Sequence, residues 1–172
     1  MGPEDLAAVR AGFGWLAVAV AVITVTDGGE PHGCTGMAWA EHTDPPLLLT
    51  TLRRGRRTGE LVRAAGRFGV SVLTEEQAGL ARTFAGRPRG RGGRFAGVPV
   101  TRGPRRGVPL LAAAAAAFEC DVEGRYPFGG HEIIVGRVAW ASAAAGAAPL
   151  VHAGGSLWSL AGLGQATRDG NR

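Results

Sequence analysis

Four arginines stand directly before a helix start in Arg53-Arg54-Gly55-Arg56-Arg57-Thr58-Gly59-Glu60-Leu61. The first N–H groups of a helix have no intrahelical acceptor, and the helix dipole is positive there, so an anion is favoured. Guanidinium groups add bidentate donors for the same ligand. Thr58 has the residue type of an N-cap. The competing reading of these residues is a solvated arginine-rich turn. One strand upstream, Gly33, Gly36, Ala38 and Ala40 place small side chains where something flat could approach the backbone.

Other chemistries find little support. The histidines His32, His42, His131 and His152 show no i,i+4 pair on a helix and no neighbouring cysteine, so a zinc site is not indicated. Ser71, Ser142, Ser156 and Ser159 lack a nucleophile-elbow context. A Walker loop needs lysine, and the chain has none. No G-x-G-x-x-G sits between a strand and a helix. Cys34 and Cys120 are far apart and read as two reduced thiols of a cytoplasmic protein. What remains is an anion holder beside a small-residue strand. A phosphate and a flat ring together describe flavin mononucleotide (FMN).

The elements that must position these groups follow from periodicity and turn chemistry. Residues 3–11 read as a helix, with Pro3, Glu4 and Asp5 suited to its first turn and Gly12 and Gly14 ending it. Val18–Thr26 is a strand rich in β-branched residues, covered on both faces, and Asp27-Gly28-Gly29 is a hairpin turn. Strands over 33–41 and Leu47–Leu52 follow, separated by Pro45-Pro46. A helix over 58–66 stops at Gly66, a strand covers 67–73, and Thr74 with Gln77 starts a further helix to about Phe84. Residues 86–94 form a Gly/Arg/Pro loop, read as solvated, with anion-clamping and nucleic-acid readings as its alternatives. Over 110–127 the alanine run favours helix, whereas the following alternation favours strand. A strand over 131–141 carries Gly136, the mark of a bulge or close approach, and 149–160 form a last strand and turn. Six or seven strands with three helices make the chain mainly β, an α+β barrel with peripheral helices.

At 172 residues, 45% hydrophobic and 19% charged, the chain suits one domain with a real core. That domain is expected over 1–163, with 164–172 a flexible tail. The net charge is +5, but all 19 basic residues are arginine. With abundant alanine and glycine, this is the pattern of GC-rich codon usage, so no nucleic-acid partner is inferred. The apolar run Trp15–Val25 is shorter than the ~20 residues of a membrane helix. It also lacks the flanks of a signal peptide. A soluble, cytoplasmic protein with no membrane contact is expected.

The order of segments resembles the flavin reductase-like family, which has the FMN-binding split-barrel fold. The likeness is carried by VITVTDGGEPHGCTGMAW, DPPLLLTTLRRGRRTGELVRAAGRFGVSVL, LARTFAG, RFAGVPV and PLLAAAAAAFECDVEGRYPFGGHEIIVGRV, and spans about residues 5–160. It implies that the alanine-rich region is extended. It implies a flavin ring against the backbone of Thr35, Gly36, Met37, Ala38 and Trp39, where the small residues make room for it. Thr51 belongs to the same cofactor site, Arg56, Arg57 and Thr58 hold the phosphate, and Phe84 and Ala85 line the cleft. His131, in GGHEIIVG, matches a recurring histidine on the nicotinamide side of the flavin; a structural hydrogen-bonding role is its alternative. Trp39 either stacks on the flavin or is a core aromatic. Members commonly read T-V-S-A-F at the ring strand and carry serine where Arg56 stands, so both contacts differ here.

The implied activity is hydride transfer from NADH or NADPH to FMN or FAD, in a homodimer that supplies a monooxygenase partner. The altered ring strand leaves two alternatives. One is a flavin-bound enzyme acting directly on an organic substrate; the other is a non-catalytic flavin-binding protein.

Overall fold

The structure, a computed structural model, describes residues 2–86 and 93–160. Most of the 86–94 loop and the whole 164–172 tail, with the end of the expected domain, therefore lie outside the described residues. Helices α1 (Pro3–Gly14), α2 (Arg57–Ala65) and α3 (Ala78–Ala85) accompany strands β1 (Val18–Asp27), β2 (Glu30–Glu41), β3 (Leu47–Arg53), β4 (Arg67–Val72), β5 (Val100–Arg102), β6 (Pro109–Leu111), β7 (Ala116–Phe128), β8 (His131–Ala143), β9 (Leu150–Ala153) and β10 (Ser156–Ser159).

Antiparallel pairing runs β1-β2-β3-β8-β7-β4 and returns from β4 to β1, which closes a six-stranded barrel. β9 extends the β4 edge of β1 at Val18 and Ala19, and β10 follows β9. β5 and β6 form a separate ribbon. The fold is thus mainly β with three helices, as expected, and the strands beyond the expected tally are short pieces outside the barrel.

The barrel closes because β1 is apolar on both faces. Val20–Val25 are all buried, and two clusters share this strand. Ile23 and Val25 pack with Val62, Phe68, Val70 and Ile134 inside the barrel, while Val20 and Val22 pack with Leu73, Phe84 and Leu150 outside it. Each such side chain contributes about 1.5–3 kcal/mol on burial. Gly28 and Gly29, at φ +57° and +93°, make the expected β1–β2 turn.

The alanine conflict resolves toward strand. From Ala116 onward the chain pairs with β4 on one side and β8 on the other, so ladder bonds override helix propensity. Ala112–Ala115 instead turn between β6 and β7, with Ala113 at φ +56°. Gly136 is a site of close approach: a Cβ there would lie 2.5 Å from the Phe68 ring.

α1 runs through Gly12 to Gly14, beyond its expected end, and buries no residue. Leu6, Val9, Phe13, Trp15 and Leu16 at this end of the chain are exposed. No helix among the described residues is long and apolar enough to cross a membrane.

Candidate active site

A cleft of about 590 Å³ opens where β2, the end of β3, the start of α2, the end of α3 and the start of β8 converge. That volume is within the range of small-molecule sites.

At one end lies the N-terminus of α2. Its N-cap is Arg56, whose extended backbone (φ −102°, ψ 144°) leads into the helix, and no side chain caps it. The N–H groups of Arg57, Thr58 and Gly59 therefore have no acceptor within the helix and point out of its end. The first turn closes behind them, with Glu60 N–H donating to Arg56 O at 3.1 Å. Thr58 is not the N-cap that the sequence suggests. It sits one turn position inside and is buried, its hydroxyl within hydrogen-bonding reach of the Cys34 thiol. Arg57 is ion-paired with Asp27 at the β1–β2 turn, and His32 Nε2 is 3.9 Å from the same carboxylate. The guanidinium groups of Arg53, Arg54 and Arg56 have no hydrogen-bond or ion-pair partner among the described residues.

The side of the cleft is an open sheet edge. β1 pairs with β2 up to Met37, but β3 pairs with β2 only from Ala38 onward. Between Gly33 and Met37 the second edge of β2 has no strand beside it. Gly33 O there accepts from Arg94 Nη1 at 3.0 Å, and Met37 O accepts from Thr50 Oγ1 at 2.8 Å. Strand alternation aims the peptide groups of Thr35, midway between them, at the same edge. The Thr35 hydroxyl turns away and donates to Ala81 O at 2.7 Å, tying β2 to α3.

The small residues have a packing reason of their own. A Cβ on Gly33 would lie 2.9 Å from Ile23 O and 3.2 Å from the Phe95 ring, and one on Gly36 would lie 3.1 Å from Ile23 Cγ1. The space these glycines leave is filled by protein, not kept for a ligand. What the strand offers a ligand is its unpaired backbone edge.

The remaining walls are Thr51 and Leu52 of β3, Phe84, Ala85 and Gly86 at the end of α3, Arg94, and His131. Phe84 is fully buried, edge-on to Phe95 with centroids 4.8 Å apart. His131 opens β8 opposite Arg53 and is exposed, with its ring stacked on Phe128 at 6.4 Å. Cys34 also faces the cleft. Burial pushes its thiol up, against a smaller opposing pull from the Thr58 hydroxyl and the Arg94 charge.

The cleft thus gathers Thr35, Gly36, Met37, Thr51, Arg56, Arg57, Thr58, Phe84, Ala85 and His131. It leaves out two expected residues, Ala38 and Trp39, because pairing with β3 closes the edge at Ala38. Ala38 packs on the barrel core. Trp39 pairs with Leu49 and is 44% exposed, so it is neither a core aromatic nor part of the cleft wall. Several cleft residues escaped the site expectation, among them Cys34, which read as a reduced thiol, and Arg94, the last residue of the aperiodic 86–94 loop.

The geometry suits a flavin nucleotide. The unsatisfied α2 N-terminus and free arginines match a phosphate, and the open β2 edge matches the polar rim of a flat ring.

Comparison with known proteins agrees. Residues 13–161 match the flavin reductase like domain. A probable flavin reductase of Rhizobium meliloti is 40% identical over 78% of this chain, which spans 42% of that longer protein. The NADH-dependent FMN reductase AsuE2 of Streptomyces nodosus subsp. asukaensis is 39% identical, covering 88% of this chain and 83% of its own. The solved structure of the NADH:FAD oxidoreductase SgcE6 of Streptomyces globisporus superposes with a TM-score of 0.82 at 31% identity, covering 92% of this chain and 95% of the other. The chain belongs to the flavin reductase-like domain family.

Proposed function

We propose that this protein is an NADH-dependent flavin reductase that supplies reduced flavin to a monooxygenase, with FMN the flavin its cleft fits first. One observation carries the reading. The cleft combines an anion-holding helix end with an unpaired strand edge, yet its only thiol is pushed up by burial and its histidine is exposed. Such a site binds and orients but lacks an activated nucleophile. The flavin, when bound, supplies the hydride-accepting chemistry.

The chain's own residues have positioning tasks. Arg56 and the N–H groups of Arg57, Thr58 and Gly59 hold the phosphate. Arg57 also stays tied to Asp27, which fixes the mouth of the β1–β2 turn beside the phosphate. The peptide groups around Thr35 meet the polar edge of the ring. Phe84 and Ala85 close the apolar side, and His131 stands where the nicotinamide arrives. Ala38 and Trp39 have no part in holding the ring. A homodimer is part of this proposal: α1 buries nothing in its own chain, and a second copy would cover its exposed apolar residues.

The test is anaerobic. Protein is mixed with FMN and NADH, and bleaching of the flavin's visible absorbance is followed against a protein-free control. Multiple rapid turnovers support the proposal. Retained flavin with no bleaching refutes it in favour of a reassigned pocket. Parallel runs with FAD and NADPH rank the flavin and the donor.

A further inference from the structure

Arg94 is not among the expected site residues, yet its side chain makes three hydrogen bonds at the cleft. Its Nε and Nη2 donate to Gly86 O at 3.0 and 2.5 Å. Its Nη1 donates to Gly33 O at 3.0 Å. Gly86 is the C-cap of α3, where a positive charge is favoured by the helix dipole. Gly33 begins the open edge of β2. The next residue, Phe95, packs on Phe84 and fills the space left by the absent Gly33 side chain. The Arg94–Phe95 pair therefore pins the end of α3 to β2 and sets the width of the cleft.

The same guanidinium faces the cleft. Its charge pulls the half-buried Cys34 thiol down, a small influence that burial outweighs. A guanidinium has five N–H donors, so three bonds to carbonyls leave two. No carboxylate is ion-paired with it among the described residues. Arg94 is thus a rigid positive charge with spare donors, fixed by the backbone rather than by a counter-ion.

We propose that Arg94 is a positioning residue that makes the cleft bind reduced flavin more tightly than oxidised flavin. The proposal rests on the flavin reductase reading. Two-electron reduction adds a hydride to the ring and leaves it anionic near neutral pH, whereas the oxidised ring is neutral. A fixed cation held beside the ring favours the reduced form, and the clamp keeps the distance constant. Arg56 and the α2 N-terminus act on the phosphate, whose charge is the same in both forms, so they cannot discriminate in this way.

The experiment measures dissociation constants for oxidised and for dithionite-reduced FMN, anaerobically, in wild type, Arg94→Gln and Arg94→Lys. The ratio of oxidised to reduced Kd is expected to fall about tenfold in Arg94→Gln, equivalent to about 30 mV for a two-electron couple. Arg94→Lys is expected to recover most of the ratio, although both variants melt below wild type because the fork is lost. A ratio unchanged in Arg94→Gln, or one that falls as far in Arg94→Lys, overturns the proposal and leaves Arg94 a brace. If Arg94→Gln fails to fold, Arg94→His takes its place. Relative to wild type at the same pH, its ratio must fall as pH rises through the imidazole's ~6.5; a constant relative ratio again overturns the proposal. Wild type that binds neither flavin form removes the flavin reading itself, a different result from flavin binding that is indifferent to residue 94.

Discussion

Two parts of this molecule are rich in arginine, and they use it in opposite ways. At the middle of β7, Arg106 donates from Nε and Nη2 to the two oxygens of Asp121 at 2.6 and 2.5 Å. Arg137 adds a contact at 3.8 Å. Beside them the fully buried Glu119 accepts the N–H groups of Arg105 and Arg106 at 2.7 and 2.6 Å. Both carboxylates there, Asp121 and Glu119, have partners, and the result ties the β5–β6 ribbon to the barrel. At the cleft, Arg53 and Arg56 have none among the described residues, and a helix end points at the same space. Residue type alone does not separate a brace from a binding site. The presence of an internal counter-charge does.

The largest effect that tests this contrast is expected at Glu119. Glu119→Ala removes the buried charged acceptor of two part-buried N–H donors, a loss of about 3 kcal/mol. Denaturant unfolding should report it, with FMN affinity of the folded protein unchanged; weakened FMN binding would mean that the braced region reaches the cleft. Arg56→Ala should do the reverse. Losing a charged hydrogen bond of about 2 kcal/mol lowers FMN affinity roughly thirtyfold with little change in melting temperature. Unchanged affinity in a fluorescence titration would break the phosphate assignment.

A smaller effect concerns pH. The bond from Arg106 holds the Asp121 carboxyl below its ordinary value of 3.8, assisted by the nearby charges of Arg106, Arg137 and Arg67. A depressed carboxylate stabilises the fold above its unfolded pKa, and that contribution is lost as pH falls through the folded value. The stability gap between wild type and Asp121→Asn should therefore be full near neutrality and shrink below about pH 4, as read from melting temperatures. A gap independent of pH would refute the pairing. The smallest effect is at the thiols. Burial and the charges of Asp121 and Glu119 push Cys120 up to about 12, so it should stay silent to a thiol reagent until unfolding. Cys34 should react slowly, and FMN should slow it further; labelling indifferent to FMN would place the flavin elsewhere.

The barrel was legible in the sequence because β-branched runs and glycine turns are local signals. Val18–Asp27 and the turn after it need nothing distant to be recognised. The extent of the open β2 edge was not legible. Whether Ala38 and Trp39 face a ligand depends on where β3 begins to pair, which no local pattern encodes. The reason for Gly33 and Gly36 was also hidden, because Ile23 and Phe95 meet them only in the folded chain. Thr58 misled for a related cause: its type suits a cap, but a neighbour contributed by β2 draws it inward. Arg94 was invisible because its partners, Gly33 and Gly86, are backbone carbonyls and leave no residue-type signature.

The order of strands around the barrel also constrains how fast it forms. Hairpins β1–β2 and β7–β8 are local, but Leu47 must find Arg137 and Arg53 must find His131 before β3 and β8 can join. Closure waits on the meeting of β1 with β4, nearer in sequence but still non-local. Loops of that length are costly to close before any contact rewards them. Refolding should therefore fall in the slow, millisecond-to-second range typical of non-local β topologies, and the open edge at Gly33–Met37 is the surface most exposed to mispairing while the chain waits.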